Sequence, residues 1–117
     1  MKKIITLISL CCSFILAQNE QIEMNYYLEA KPDKVKQLEK GLKDHTDKFH
    51  QSAEHLVHTW EVVAGERTGQ YMRNGPTQSW ADFDVNVDHP GDAVHWERSV
   101  APYVKDMSGR VYWRYLP

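Results

Sequence analysis

The sequence predicts one α+β domain in which strands and amphipathic helices follow one another as strand, helix, strand, strand, helix, strand. Three observations predict it. Apolar residues recur every second position over several short stretches and at helical spacing over two longer ones, and Gly, Pro, Asn and Asp cluster between these stretches.

A targeting segment precedes the domain. Met1, Lys2 and Lys3 form a basic head, and Ile4 to Ala17 is apolar with Thr6, Ser9 and Ser13 as mild interruptions, the pattern of a secretory signal peptide. As a helix this stretch reaches about 21 Å, short of a hydrocarbon core of about 30 Å, so a permanent span is disfavoured. Cleavage is expected after Ala17, giving residues 1–17 as signal and 18–117 as a single domain, and a periplasmic or secreted address. A lipoprotein needs a small residue before the acylated cysteine, and Leu10 before Cys11, or Cys11 before Cys12, serves badly. Both cysteines leave with the signal, so the mature chain has no thiol, disulfide or thiolate metal site.

From Ile22 to Leu28, Ile22, Met24, Tyr26 and Leu28 alternate with Glu23, Asn25 and Tyr27, which predicts a strand covered on one side. Ala30 to Asp33 breaks it, and Pro32 suits a helix start. Val35, Leu38, Leu42, His45, Phe49 and Leu56 follow at spacings of three, four, three, four and seven, an amphipathic helix of about five turns. Gly41 within it costs roughly 1 kcal/mol relative to alanine. Thr59 to Ala64 alternates as a second strand, Gly65 to Gly69 is a turn cluster, and Gln70 to Arg73 returns as an additional hairpin arm. Ser79 to Val87 alternates again and predicts a strand. Ala93, Trp96, Val100, Val104 and Met107 form a second helical stripe, with Pro102 as a kink or break. After Ser108-Gly109, Val111 to Leu116 is the closing strand. This order is the split βαβ, ferredoxin-like βαββαβ arrangement, with a four-stranded antiparallel sheet, two helices and the extra arm.

The second half, with His89-Pro90 leading into a helix, Pro102-Tyr103-Val104 near its end and Val111-Tyr112-Trp113 as closing strand, resembles the dimeric α/β-barrel superfamily. That group includes cofactor-free monooxygenases, haem-degrading enzymes and polyketide cyclases. The Gly65 to Ser79 segment is longer than the resemblance leads one to expect. The resemblance implies a homodimer with two sheets face to face. A sheet with helices on one face also leaves its other face needing cover, independently of any family.

Of the chemistry-bearing residues, His45 is the most informative, because it stands in an apolar stripe where Leu or Ile is the ordinary choice. Burying an imidazole without a partner costs about 1 to 3 kcal/mol, so a partner is expected. It is either a satisfied core histidine or a general base facing a pocket. Tyr112 and Arg114 are the candidates to polarise a substrate beside it, and Tyr27, Glu61, Tyr71 and Arg73 are candidate ligand-binding residues. The plainer account of these strand residues is cross-strand pairing on a sheet face.

No metal site is expected. His50, Glu54, His55 and His58 lack an H-E-x-x-H spacing and any cysteine. Asp82, Asp84, Asn86 and Asp88 resemble the start of a calcium loop, but Val87 replaces its glycine and Ala93 its closing glutamate. No cofactor is expected, and there is neither a phosphate loop nor a Gly-x-Ser-x-Gly elbow. Without Lys2 and Lys3 the acidic excess grows beyond the net charge of −2 of the whole chain, which argues against nucleic acid as partner. Four tryptophans and six tyrosines, together with His45, favour an exported homodimer binding a small aromatic or anionic molecule between sheet and helices. The alternatives are a cofactor-free monooxygenase, isomerase or cyclase, and a non-catalytic structural protein of the envelope.

Overall fold

The computed structural model describes residues 21–84 and 90–117. The expected signal segment 1–17, both cysteines, and Val85, Asn86 and Val87 of the expected strand lie outside the described residues. The elements are β1 (Ile22–Ala30), α1 (Val35–Phe49), β2 (His58–Glu61), β3 (Tyr71–Asn74), α2 (Trp80–Asp84), α3 (Asp92–Ser99), a 3-10 turn (Ala101–Tyr103) and β4 (Val104–Arg114). Four strands form one antiparallel sheet in the order β2-β3-β1-β4. Among the described residues, no helix is long and apolar enough to cross a membrane.

The core lies between the helices and one face of the sheet. Leu28 of β1, Tyr71 of β3, Leu38 and Leu42 of α1, and Val100 after α3 are buried together, each apolar side chain contributing about 1.5 to 3 kcal/mol. Gly41 brings α1 against the end of α3: a Cβ there would lie 1.8 Å from the Ser99 carbonyl oxygen. This contact sets the helix separation.

Four local expectations change. The helix α1 ends at Phe49 rather than reaching Leu56, and the His50 amide closes it on the Thr46 carbonyl. Pro32 sits in a turn closed by Lys34 N–H to the Lys31 carbonyl, with Asp33 at φ 63°, a type II geometry that uses proline at its second position. The arm after Gly69 is β3 itself, paired between β2 and β1, so it is a member of the four-stranded sheet. Trp80 to Asp84 is a short helix where alternation predicted a strand. Ser79 and Asp82 cap it reciprocally: the Ser79 amide donates to the Asp82 carboxylate at 3.0 Å, and the Asp82 amide to the Ser79 hydroxyl at 3.3 Å. That capping outweighs a weak alternation.

The second helical stripe is also cut short. Pro102 lies in the 3-10 turn, and Val104 and Met107 belong to β4. Ala93 is exposed, so α3 turns Trp96 rather than Ala93 inward. Gly109, expected to stop a helix, sits inside β4 at φ 66° where the register with β1 shifts, the bulge role of glycine in a strand.

Candidate functional site

Cross-strand pairing places Tyr26 of β1 beside Arg73 of β3, two residues along from the Leu28–Tyr71 pair that faces the helices. Period two therefore puts Tyr26 and Arg73 under the helices as well. Above them stand His45 from α1 and Asp92, His95 and Trp96 from α3. All of these but His95, together with Met24, Met107 and Arg110, border a cavity of about 360 Å³, large enough for a small ligand.

Arg73 is 1% exposed, and its Nε and Nη1 have no hydrogen-bond partner among the described residues. Its guanidinium carbon lies 5.4 Å from the Trp96 ring centroid, a cation–π contact that offsets part of the desolvation. Burial pulls the guanidinium below its usual value, but it stays charged at neutral pH. Burial likewise raises the Tyr26 phenol, against the pull of Arg73, so it stays protonated.

His45 is also 1% exposed. Its Nε2 lies 3.1 Å from Asp92 Oδ1, and its Nδ1 lies 2.9 Å from His95 Nδ1. His95 Nε2 is in turn 3.4 Å from the Ser99 hydroxyl. One consistent proton arrangement runs Ser99 O–H to His95, His95 Nδ1–H to His45, and His45 Nε2–H to Asp92. Burial pushes His45 down to about 4, although the Asp92 carboxylate opposes the shift, so the ring is neutral near pH 7. Both of its nitrogens are engaged, whereas a general base needs one facing its substrate.

His50 stands next to this chain. Its Nδ1 is 3.0 Å from the His55 carbonyl oxygen, and its Nε2 is 3.6 Å from Asp92 Oδ2. His45, His50 and Asp92 each offer one ligand atom, all within 4.8 Å of one another. These residues therefore form a candidate cation site, a grouping that the sequence analysis did not anticipate.

No family model matches the sequence, and no curated protein matches it. Among solved structures, a proposed antibiotic biosynthesis monooxygenase from Bordetella bronchiseptica is similar at a TM-score of 0.64, with 13% identity over 85% of this chain and 100% of that one. A dimeric ferredoxin-like protein of unknown function from Thermobifida fusca gives 0.55, with 14% identity over 84% and 93%. A second proposed antibiotic biosynthesis monooxygenase, from Bacteroides thetaiotaomicron, gives 0.52, with 11% identity over 85% and 90%. The chain has the ferredoxin-like fold. At these identities the likeness is one of backbone architecture.

The ferredoxin-like sheet separates the residues singled out from sequence. His45 and Arg73 share the cavity. Glu61 and Tyr71 instead border a second groove of about 550 Å³ between α1 and β2. There the Tyr71 hydroxyl donates to Glu39 Oε1 at 2.6 Å, and burial and Glu39 together raise its pKa. That groove is larger, but its phenol already has a partner. Tyr27 points to the opposite sheet face, where the Arg67 guanidinium covers its ring at 4.1 Å. Tyr112 packs with Trp80 and Phe83 at 5.4 and 5.3 Å. Arg114 is exposed and pairs with Ile22 near the sheet end. Neither Tyr112 nor Arg114 borders the His45 cavity, because β4 carries them beyond its bulge.

Sequence reasoning missed Asp92, His95 and Tyr26, and took Trp96 only as core. A signal existed in Asp92, His95, Trp96 and Ser99, which recur at three, four and seven along a helix and so share one face. Apart from Trp96 that face is polar, and hydrophobic periodicity does not register its polar members.

Proposed function

We propose that this protein binds a small anionic molecule, such as a carboxylate, in the cavity between helices and sheet, with the anion against Arg73. The observation that carries this reading is the buried guanidinium whose Nε and Nη1 lack partners. A charge held out of water without hydrogen bonds is costly, and an anion supplies both the charge and the acceptors. Among the described residues, Arg110 adds a second positive group at the cavity against the single carboxylate of Asp92. Trp96 and Tyr26 offer apolar walls for an aromatic portion.

The reading includes a homodimer formed through the sheet face away from the helices. Register places Trp60, Met72 and Tyr27 in one row across that face, with Val111 and Trp113 further along it. Trp60 and Trp113 are more than half exposed, and such a patch favours a partner. The similar Thermobifida fusca protein is dimeric. The reading also includes export with loss of residues 1–17, which intact mass of protein recovered from the envelope tests.

The binding test is a calorimetric screen of aromatic and aliphatic carboxylates against wild type and Arg73→Met. Binding tighter than about 1 mM, roughly −4 kcal/mol, is expected for wild type and a loss of tenfold or more for the variant. Arg73→Met should keep its fold, since it replaces an unpaired buried charge by an apolar chain of similar length. Equal affinity in a folded variant, or no binder at 1 mM, would overturn the reading.

A further inference from the structure

We propose that His45, His50 and Asp92 form a binding site for a divalent first-row transition-metal ion at the rim of the cavity. The inference goes beyond anion binding and does not depend on it.

The first support is the ligand set and its spacing. Two imidazoles and one carboxylate form the donor combination that first-row metals take with further positions left open. With metal–ligand bonds of about 2.1 Å, neighbouring ligand atoms lie about 3.0 Å apart in an octahedron and about 3.4 Å in a tetrahedron. The Asp92 carboxylate oxygens stand 3.1 Å from His45 Nε2 and 3.6 Å from His50 Nε2. The three ligand atoms lie within 4.8 Å of one another, so closing on an ion requires the two imidazoles and the carboxylate to draw together.

A second observation comes from proton placement at His50. A carbonyl oxygen only accepts, so the 3.0 Å contact to the His55 carbonyl requires the proton on His50 Nδ1. In the neutral ring, Nε2 then presents a lone pair toward a carboxylate 3.6 Å away. A metal ion between them would use the Nε2 lone pair together with a carboxylate oxygen. The bond from Nδ1 to the carbonyl also fixes the ring as a second shell does in metal sites.

The histidine chain behind His45 accommodates the same ion. Metal on His45 Nε2 displaces its proton and moves the hydrogen to Nδ1. The chain can then run in the opposite sense, with His45 Nδ1–H donating to His95 Nδ1 and His95 Nε2–H donating to the Ser99 hydroxyl. Both arrangements satisfy the observed contacts, so the ion changes proton positions without breaking the network. Arg73 and Arg110 border the same cavity, so the open coordination positions face a positive surround that favours an anionic co-ligand.

The test titrates the tag-free full chain, freed of metal by chelation, with Co²⁺ followed by visible absorption and with Zn²⁺ followed by calorimetry. One ion per chain is expected at micromolar or tighter affinity. His50→Ala and Asp92→Asn should each weaken it by tenfold or more, whereas His58→Ala, an exposed histidine outside the cluster, should not. Imidazole nitrogen NMR with Zn²⁺ should show His45 passing from the Nε2–H to the Nδ1–H form. Absence of binding tighter than about 100 μM, about −5.5 kcal/mol, overturns the proposal, as does affinity unchanged in a folded His50→Ala. A doubly protonated His50 in the metal-free protein, without metal binding, identifies a plain ion pair with Asp92. Metal binding without carboxylate binding would remove the anion reading and leave this site standing.

Discussion

Replacing Gly41 by alanine should destabilise the protein, although helix propensity alone favours the change by about 1 kcal/mol. A Cβ at Gly41 would stand 1.8 Å from the Ser99 carbonyl oxygen and 2.9 Å from its carbon. Both are backbone atoms, so no side chain can swing aside. Reaching even a 3.0 Å contact, closer than real Cβ atoms come, requires α1 to move from the α3 terminus by roughly 1.2 Å, and such overpacking costs about 1 to 3 kcal/mol. His45 lies one turn along the same face, and the same displacement stretches its 2.9 Å contact to His95 and its 3.1 Å contact to Asp92 beyond hydrogen-bond range. Each lost bond adds about 0.5 to 1.5 kcal/mol. The net expectation is a loss of about 2 kcal/mol, which lowers the urea midpoint by about 1 M. Equilibrium urea unfolding of both proteins measures it. A midpoint equal to or above wild type would refute the claim that Gly41 sets the helix separation.

His45→Leu should lower stability by only about 1 kcal/mol, because the part-exposed Asp92 and His95 can turn to water, and it should abolish Co²⁺ binding; paired urea melts and metal titrations check both. Trp60→Asp should shift the protein to a monomer by light scattering at micromolar concentration, and a wild type already monomeric there would remove the sheet-face dimer. Asp82 is held below its usual value by the Ser79 amide and hydroxyl. A depressed carboxyl contributes stability that is fully present above its unfolded-state value and fades as pH falls through its lowered native value. Asp82→Asn should therefore flatten the stability–pH curve in that acid window and leave the slope at neutral pH unchanged.

Hydrophobic periodicity placed β1 and most of α1, the cluster of turn residues placed the turn around Gly65 to Gly69, and together they gave the ferredoxin-like fold class. Periodicity also singled out His45 as a polar residue in an apolar stripe. Those features are local: they depend on which face of one element is dry. The sequence misplaced Ser79 to Asp84 because two side-chain caps decide that segment, and it carried the second helix too far because Val104 and Met107 continue the helical spacing, whereas pairing with β1 makes them strand. The partners of His45 were not legible for a different reason. Asp92 and His95 are ordinary polar residues on their own helix, and they become a site only when Gly41 lets α1 approach α3 closely enough for the two polar faces to meet. The same contact reverses the sign of the Gly41 cost, from a weakness of an isolated helix to a requirement of the packed pair. Arg73 reads in the sequence as one of four strand residues that either bind a ligand or pair across strands, until register sets it opposite Tyr26 and packing sets it beside Trp96. Which residues come together at the candidate site was thus decided by tertiary packing, since hydrogen bonds and ion pairs across 50 residues of sequence act only over a few ångströms.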